Sequence, residues 1–228
     1  MSSADKAPRE VSRFRIKVTK NGPYLVSGGL PLSEQRIRVD SEGQPHGWKK
    51  SKKLPAPKGY SLCRCGHSRS KPFCDGSHAR IGFNGKEKAT RKPYMAQAAR
   101  INGPELLLTD AEDLCSGARF CHRAGGIWKL TRKSKDPKAR QTAIEEACDC
   151  PSGRLVVWDK DGMAIEPRLK PSIGLVIEPQ AYHVGPIWVR GGIPVESADG
   201  KTYEIRNRVT LCCCGNSANK PFCDASHL

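Results

Sequence analysis

The chain has 228 residues, including 11 cysteines, 22 glycines and 17 prolines, and a formal net charge of +16. No apolar run approaches the roughly 20 residues of a membrane-spanning helix, and the segment "MSSADKAPREVSRFRIKV" lacks the apolar core of a secretory signal. We therefore expect a soluble, cytoplasmic protein of several small domains. Its cysteines should stay reduced, which makes disulfides the weaker explanation for them.

The first elements in chain order are three short segments in which apolar and polar residues alternate. They are "FRIKV", "PYLVS" and "QRIRVD", and this period of two predicts half-buried strands separated by Gly and Pro turns. The basic stretch "GWKKSKKLPAPKG" (Gly47–Gly59) follows. Residues 1–100 carry 22 Lys and Arg against 7 Asp and Glu, so this half could attract nucleic acid or an acidic protein. We interpret the basic stretch as a solvated surface loop, and nucleic acid as the less favoured partner.

A cysteine-rich motif, "LCRCGHSRSKPFCDGSH", comes next and has the spacing Cys-x-Cys-x8-Cys-x3-His. Cys63 and Cys65 would face the same side of an extended segment, and Cys74 and His78 the same side of one helical turn. Pro72 is suited to the position just before such a turn. Three thiolates and one imidazole suit zinc or iron–sulfur chemistry. Two pairs suit a two-metal cluster better than a single ion. A zinc site is the alternative, although the one-residue gap is shorter than in most zinc motifs.

A different region, residues 99–171, lies in the middle of the chain. "TAIEEAC" (Thr142–Cys148) predicts a helix and "GRLVVWD" (Gly153–Asp159) a strand, so we expect a separate α+β module between domains at 11–98 and 172–228. This module has four cysteines, Cys115, Cys121, Cys148 and Cys150.

The last part of the chain repeats the first. "VGPIWVRGGIPV" matches the earlier "NGPYLVSGGLPL", "IWVRG" and "TYEIRN" predict strands, and "LCCCGNSANKPFCDASH" repeats the cysteine motif. The distance from Pro23 to Cys63 exceeds that from Pro186 to Cys212 by 14 residues, which we place in the basic surface loop. The repeated ligand set is Cys212, Cys214, Cys223 and His227. Cys213 should point away from it, because neighbouring side chains alternate along an extended segment.

Both motifs resemble the signature of the CDGSH iron–sulfur family, which includes mitoNEET. The resemblance implies a [2Fe-2S] cluster in each motif, bound by three cysteines and one histidine. It assigns Cys63 and Cys65 to the inner iron of the first cluster, and Cys74 and His78 to the outer iron. In the second cluster Cys212 and Cys214 would bind the inner iron, and Cys223 and His227 the outer one.

The resemblance also suggests why the motif occurs twice. Many family members are homodimers whose protomers exchange a strand, so a tandem repeat could build the same pair within one chain. We therefore predict an α+β, mostly β fold, in which two small β-rich CDGSH modules form a monomeric, intramolecular pseudo-dimer around a central α+β ferredoxin-like module.

The central cysteines resemble a divergent single-cluster [4Fe-4S] ferredoxin domain, found beside CDGSH motifs in some bacterial proteins. The resemblance rests on "CPSG" at Cys150, and it makes a bacterial origin our expectation. Five residues lie between Cys115 and Cys121, however, whereas two lie between successive ferredoxin ligands. A [4Fe-4S] site, a redox-active thiol pair and a spacer with free thiols stay open, and we favour the spacer.

The predicted function is electron transfer or cluster transfer to a redox or cluster-acceptor protein. We expect no enzyme activity, because the sequence has no nucleotide loop, nucleophile elbow or paired carboxylates. The alternatives are a redox or pH sensor, and a zinc-stabilised structural or nucleic-acid-binding module. An imidazole ligand in place of a thiolate raises the reduction potential of a cluster. Because protons compete with the metal for the imidazole nitrogen, acid should loosen His78 and His227 first. We expect ordinary roles for the other histidines, His46, His67, His122 and His183.

Overall fold

The computed structural model describes residues 13–178 and 184–228. The predictions about the N-terminal segment and about His183 concern residues outside these ranges. Among the described residues, no helix has the length and apolarity required to cross a bilayer.

The described strands are short, and most belong to the two repeated copies. They are β1 (Arg15–Val18), β2 (Tyr24–Ser27), β3 (Leu32–Val39), β4 (Pro45–Leu54), β5 (Gly59–Leu62), β6 (Ala99–Asn102), β7 (Leu107–Asp110), β8 (Leu155–Trp158), β9 (Ala164–Ile165), β10 (Ser172–Ile177), β11 (Val184–Arg190), β12 (Val195–Glu196) and β13 (Arg208–Leu211). The helices are α1 (Ser77–Arg80), α2 (Ile127–Arg132) and α3 (Pro137–Asp149), with 3-10 turns at Tyr94–Ala96, Glu112–Leu114 and Phe120–Gly125.

The two copies exchange strands. One sheet has the order β12-β1-β2-β5 and contains one strand of the second copy, and the other has the order β13-β11-β10-β3-β4 and contains two strands of the first. β12 pairs in parallel with β1, where Ile16 faces Val195, and β3 pairs in parallel with β10, where Leu32 faces Ile173. This exchange is the intramolecular pseudo-dimer expected from the tandem repeat.

A single hydrophobic core serves both copies. Burial alternates along β1 and β2, which confirms the period of two, and the buried side chains meet those of β10 and β11. The side chains of this core include Ile16, Tyr24, Leu30, Leu62, Ile173, Ile187, Val189 and Leu211. Because the apolar faces are buried against each other, the two copies fold as one unit.

The central domain has its own core and its own sheet, with the antiparallel order β6-β7-β8-β9. Helix α3 begins at Pro137, and the Asp136 side chain accepts a hydrogen bond from Ala139 N at 3.0 Å, as an N-cap residue should. Ala143 and Ala147 of α3 pack against this sheet in the core. The predicted helix "TAIEEAC" and strand "GRLVVWD" are therefore confirmed, as is the α+β, mostly β class.

One predicted strand is wrong. "TYEIRN" forms an isolated bridge between Thr202 and Glu196 but no ladder. Side chains near its two ends bind different parts of the chain: Tyr203 Oη donates to Glu87 Oε2 at 2.8 Å, and Asn207 Nδ2 donates to Glu166 Oε2 at 2.8 Å. Tyr203 is buried but Ile205 is 54% exposed, so the alternating apolar residues do not form one buried face of a strand.

The basic stretch is also not a loop for most of its length. Residues 45–54 form β4, which pairs with β3 at the edge of the five-stranded sheet. Lys49, Lys52 and Lys53 are exposed, as is common on edge strands. The Trp48 ring packs 4.6 Å from that of Trp188, so the 14-residue insertion has an apolar anchor.

Candidate metal centres

The first motif is a loop that folds back onto strand β5. Cys63 follows the last residue of β5; its N–H donates to Pro72 O at 2.8 Å, and Cys74 N donates to Ser61 O at 2.9 Å. These bonds place Cys74 beside the first two cysteines in the fold. The Sγ atoms of Cys63 and Cys65 are 3.8 Å apart, and both side chains are buried. The predicted inward-facing pair is present.

The second pair of the first motif also meets, but not on one helical turn. Cys74 Sγ lies 3.3 Å from His78 Nδ1, whereas α1 begins only at Ser77. The Asp75 side chain shapes the preceding turn by accepting hydrogen bonds from Arg69 N at 2.9 Å and Ser77 N at 3.0 Å. These bonds, with the Arg69 bond the largest cause, hold the pKa of Asp75 well below its usual range. Hydrogen bonds to the Asp75 carboxylate therefore stabilise a non-helical turn where a helical one was predicted.

The second motif has the same geometry. Its two pairs, Cys212 with Cys214 and Cys223 with His227, have separations of 3.6 Å between Sγ atoms and 3.5 Å between Sγ and Nδ1. Asp224 accepts hydrogen bonds from Ala218 N at 2.7 Å and Ser226 N at 3.1 Å, as Asp75 does in the first motif. The Lys-Pro bond is cis in both motifs. All eight predicted ligands are thus arranged as four pairs.

Alanine replaces the glycine of the first motif at one position of the second. Ala225 adopts a positive φ of 69°, close to the 83° of Gly76. A Cβ atom added at Gly76 would have no neighbour within 4 Å, which explains why this turn accepts an alanine. The departure from the signature therefore leaves the loop geometry unchanged.

The thiols of the second motif influence each other. A hydrogen bond with Cys214 lowers the pKa of Cys212 to about 6, and the same bond raises the pKa of Cys214. The first proton of this pair is therefore lost easily, and the thiolate is the form that binds metal. Burial raises the pKa of Cys223.

The two motifs touch each other through their backbones. A Cβ atom at Gly66 would lie 2.4 Å from Cys214 O, and one at Gly215 would lie 2.7 Å from Cys65 O. A cavity of about 320 Å³ lies between the motifs, and its lining includes Cys63, Cys214 and His227. The two ligand sets are therefore neighbours, and two glycines permit the approach.

We predict that Gly66→Ala lowers the free energy of unfolding by about 2 to 4 kcal/mol. The new methyl group would overlap Cys214 O, and alanine is disfavoured at the positive φ of 80°. Gly76→Ala is the matched control, because Gly76 has a similar φ but open space around it. It should cost about 1 kcal/mol. Urea unfolding would measure both, and equal losses would show that the contact between the motifs is unimportant.

The residue between the first two ligands points away from them in each copy. Cys213 Sγ donates to Gly185 O at 3.1 Å, and Arg64 donates from Nη1 to Thr19 O at 3.0 Å. Burial raises the pKa of Cys213 to about 12, so this thiol stays protonated at neutral pH. It faces the turn of its own copy, as predicted for a residue that is not a ligand.

The non-ligand histidines differ in their contacts. His67 is exposed, and its Nδ1 lies 2.7 Å from Cys65 O within the first motif. His122 packs edge-on against Trp128, with ring centroids 6.2 Å apart. His46 borders an open cavity beside Asp149.

The two ligand histidines have different surroundings on the side away from the cysteines. His227 Nε2 lies 3.0 Å from Glu178 Oε1, and both side chains are largely buried, with 8% and 12% exposure. The neighbour of His78 Nε2 is instead Gly22, which has no side chain: a Cβ atom built on this glycine would lie 3.6 Å from the nitrogen. Sequence reasoning missed Glu178, because it lies 49 residues from His227 and belongs to no spacing pattern.

The central domain brings together three of its four cysteines. Cys115, Cys121 and Cys150 border one small cavity, whereas Cys148 borders a different cavity, beside Asp149. Cys148 Sγ is directed to Ile165 O, at 3.7 Å. The predicted four-cysteine set is therefore divided, because Cys148 in the last turn of α3 and Cys150 just after the helix are two residues apart and border different cavities.

A charged pair borders the three central thiols. Arg154 donates to both oxygens of Asp110, at 2.6 and 3.0 Å, and its guanidinium also contacts the Cys115 thiol. Burial, followed by the charge of Cys150, raises the pKa of Cys121 to about 12. Sequence reasoning missed both charged residues, which lie 44 positions apart.

None of the 11 cysteines, all of which lie within the described ranges, forms a disulfide. In the same ranges, no three His, Cys, Asp or Glu side chains converge as ligands of a single metal ion. The ligands of the two repeated motifs meet in pairs.

Two protein families match the chain. The model of the iron-binding zinc finger, CDGSH type, matches residues 21–79 and 184–228, and that of the divergent 4Fe-4S mono-cluster domain matches residues 101–160. A search of curated proteins gave no match. The central match favours the [4Fe-4S] alternative over the cluster-free spacer. The chain is therefore a tandem CDGSH protein in which a divergent ferredoxin-like domain, of the iron–sulfur class, separates the two CDGSH domains.

Proposed function

We propose that the protein binds two [2Fe-2S] clusters and transfers electrons, or the clusters themselves, to an acceptor protein. The observation that carries this proposal is the fourfold pairing of the predicted ligands. Each motif offers one pair of thiols and one thiol–imidazole pair, with separations between 3.3 and 3.8 Å. Two pairs in one loop match the two irons of such a cluster, each of which needs two protein ligands beside the bridging sulfides.

The residues around the first motif fit a cluster with an inner and an outer side. Cys63 and Cys65 are each 3% exposed, so the protein shields the inner side from water. Cys74 and His78 are half-buried, which places the outer side nearer to solvent. In the second motif the outer pair, Cys223 and His227, is also largely buried. A cluster bound here would supply one-electron redox chemistry, and the histidine side would face an acceptor protein.

The contact between the motifs supports a carrier with two neighbouring centres. Tyr24, from the first copy, is buried, and its hydroxyl lies 2.8 Å from Cys212 O and 3.0 Å from Pro221 O. The first copy thus fixes the loop that carries the ligands of the second. We propose that this link keeps the two centres at a constant separation within a monomeric chain.

The central domain does not yet offer a complete site. Cys115, Cys121 and Cys150 supply three thiols, one fewer than the four cysteines that usually bind a [4Fe-4S] cluster. Cys148 borders another cavity and does not fill the gap. We therefore assign no step of the function to this domain.

Visible absorption combined with iron, sulfide and zinc analysis per chain tests the proposal. About four irons and four sulfides, with a red-brown colour, are expected for two [2Fe-2S] clusters. About eight irons would add a [4Fe-4S] cluster in the central domain, and a colourless protein containing zinc would overturn the proposal. Cys74→Ser and Cys223→Ser should each remove about half of the colour. Cys213→Ser, the control, should keep all of it.

We predict that acid accelerates the loss of both clusters. A proton competes with iron for the Nδ1 atoms of His78 and His227, which face the cysteines of the outer pairs. Bleaching followed at about pH 8 and about pH 5.5, on either side of the pKa of free histidine, should be faster at the lower pH. Replacing both histidines with cysteine should weaken this dependence. Equal bleaching rates of the unmodified protein at both pH values would show the prediction to be wrong.

A further inference from the structure

The two CDGSH sites differ in one contact at the ligand histidine. In the second site, Glu178 Oε1 lies 3.0 Å from His227 Nε2, while His227 Nδ1 is directed to Cys223. The imidazole is thus held between the ligand pair and a carboxylate. Glu178 is 12% exposed, so water screens this contact only weakly.

In the described part of the chain, the first site lacks such a partner. By strand pairing, Val18 corresponds to Leu175, because Val18 faces Tyr24 and Leu175 faces Ile187. The turn that follows β1 in the first copy carries Asn21, whereas the segment that follows β10 in the second copy begins with Glu178. The Asn21 side chain accepts a hydrogen bond from Gly85 N at 2.9 Å and is thus directed elsewhere. Among the described residues, no carboxylate lies within hydrogen-bond distance of His78 Nε2.

A carboxylate on the outer nitrogen of a ligand histidine has known physical consequences. It fixes the tautomer and the ring orientation, and it makes the inner nitrogen a stronger electron donor to the metal. A stronger donor stabilises the oxidised metal and lowers the reduction potential, and hydrogen bonds around a cluster are among the factors that set its potential.

We propose that Glu178 is a positioning residue that makes the second site different from the first. It holds His227 with Nδ1 toward the metal position, gives the second cluster the lower reduction potential and slows its loss. This inference rests on the proposed function, because it requires a cluster in each motif. The repeat thus yields two unequal centres from one ligand pattern.

The test is a redox titration of the full chain, followed by visible absorption and electron paramagnetic resonance. The unmodified protein should show two separate one-electron waves. Glu178→Gln, which keeps the shape but removes the charge, should shift the lower wave to a more positive potential and leave the upper one in place. It should also accelerate iron loss to a chelator about tenfold or more in one of two kinetic phases.

Glu196→Gln is the matched control. Glu196 has a similar exposure, 14%, but it pairs with Arg15 and Lys17 rather than with a histidine. It should move neither wave. Because the first site reports within the same molecule, its unchanged wave shows that the Glu178 variant is folded.

A second variant, His227→Cys, tests whether Glu178 acts by holding the imidazole or only through its own negative charge. With His227→Cys the imidazole is gone, so Glu178→Gln should produce a clearly smaller shift than in the unmodified protein. Equal shifts in the two backgrounds would mean that Glu178 acts without His227 and would overturn the inference. Coloured protein whose waves do not respond to Glu178→Gln would overturn it alone, whereas colourless protein would overturn the proposed function and this inference together.

Discussion

Replacing Arg208 with methionine is expected to lower the free energy of unfolding by about 3 to 5 kcal/mol, because it breaks a buried charge network. The Arg208 side chain is 1% exposed and donates to both carboxylate oxygens of Glu166, at 2.9 and 3.0 Å. It also donates to the carbonyl oxygens of Ala147, Cys148 and Cys150, at 2.5, 3.1 and 2.6 Å. Methionine fills much of the space but donates no hydrogen bond to these oxygens, and it leaves the Glu166 carboxylate without its cationic partner.

The network also joins two domains. Arg208 lies in β13, four residues before Cys212, whereas its carbonyl partners lie in the central domain, around the end of α3. We therefore expect the variant to loosen the central domain from the second CDGSH domain. Hydrogen exchange should increase in α3 and β8.

Arg36→Met is the control for Arg208. Arg36 is exposed and forms a surface ion pair with Glu34, at 3.3 Å, so its loss should cost less than about 1 kcal/mol. Urea unfolding of both variants gives the comparison. Similar losses would mean that the Arg208 network contributes no more than a surface pair.

The second large effect is expected at Glu146, where glutamine should stabilise the protein increasingly as pH rises. Glu146 is fully buried in α3, and among the described residues neither of its carboxylate oxygens has a hydrogen-bond partner. Arg123 Nε is 4.0 Å away. Burial, opposed in part by Arg123, raises the pKa of Glu146 from its ordinary 4.5 to about 8.

The direction of the pH dependence follows from this raised pKa. The folded protein binds a proton on Glu146 that the unfolded chain has lost, so the stability of the unmodified protein falls as pH rises from 4.5 toward 8. A glutamine is neutral throughout and escapes this loss. The advantage of Glu146→Gln should therefore grow by about 1.4 kcal/mol per pH unit within this window and level off above it.

Urea unfolding at about pH 6 and about pH 7.5 checks this prediction, with an expected widening of about 2 kcal/mol between the two conditions. Glu145→Gln provides the control, since Glu145 is exposed and receives a hydrogen bond from Gln141. Its effect should not change with pH. A constant difference for Glu146→Gln would show that this carboxyl ionises normally in the folded protein.

The sequence predicted the ligand pairs because their geometry is local. Cys63 and Cys65 face the same side whenever the chain is extended, so a separation of two residues is sufficient. For Cys74 and His78 the pairing was right but the reason was wrong, since the Asp75 carboxylate and a left-handed Gly76 form the turn that was expected to be helical.

The repeat also determined the pseudo-dimer, because two copies with half-buried strands need each other to complete a core. It did not determine the structure of the basic stretch. That stretch forms β4, which pairs with β3 at the sheet edge, and lysines are common on edge strands, so its charge did not exclude a strand. Nor could alternation distinguish "TYEIRN" from a strand. In that segment Tyr203 is buried but Ile205 is 54% exposed, so the alternation does not correspond to one buried face.

The sequence by itself thus determined the pairing of the candidate ligands, the duplication and the fold class, all of which depend on short-range spacing or on repetition. Only the tertiary structure decided which distant groups surround the ligands. It separated Cys148 from the other central cysteines, placed Glu178 against His227 and buried Arg208 between two domains. Such contacts join residues from about 40 to more than 60 positions apart, and no local pattern encodes them, because they depend on how whole sheets and domains pack.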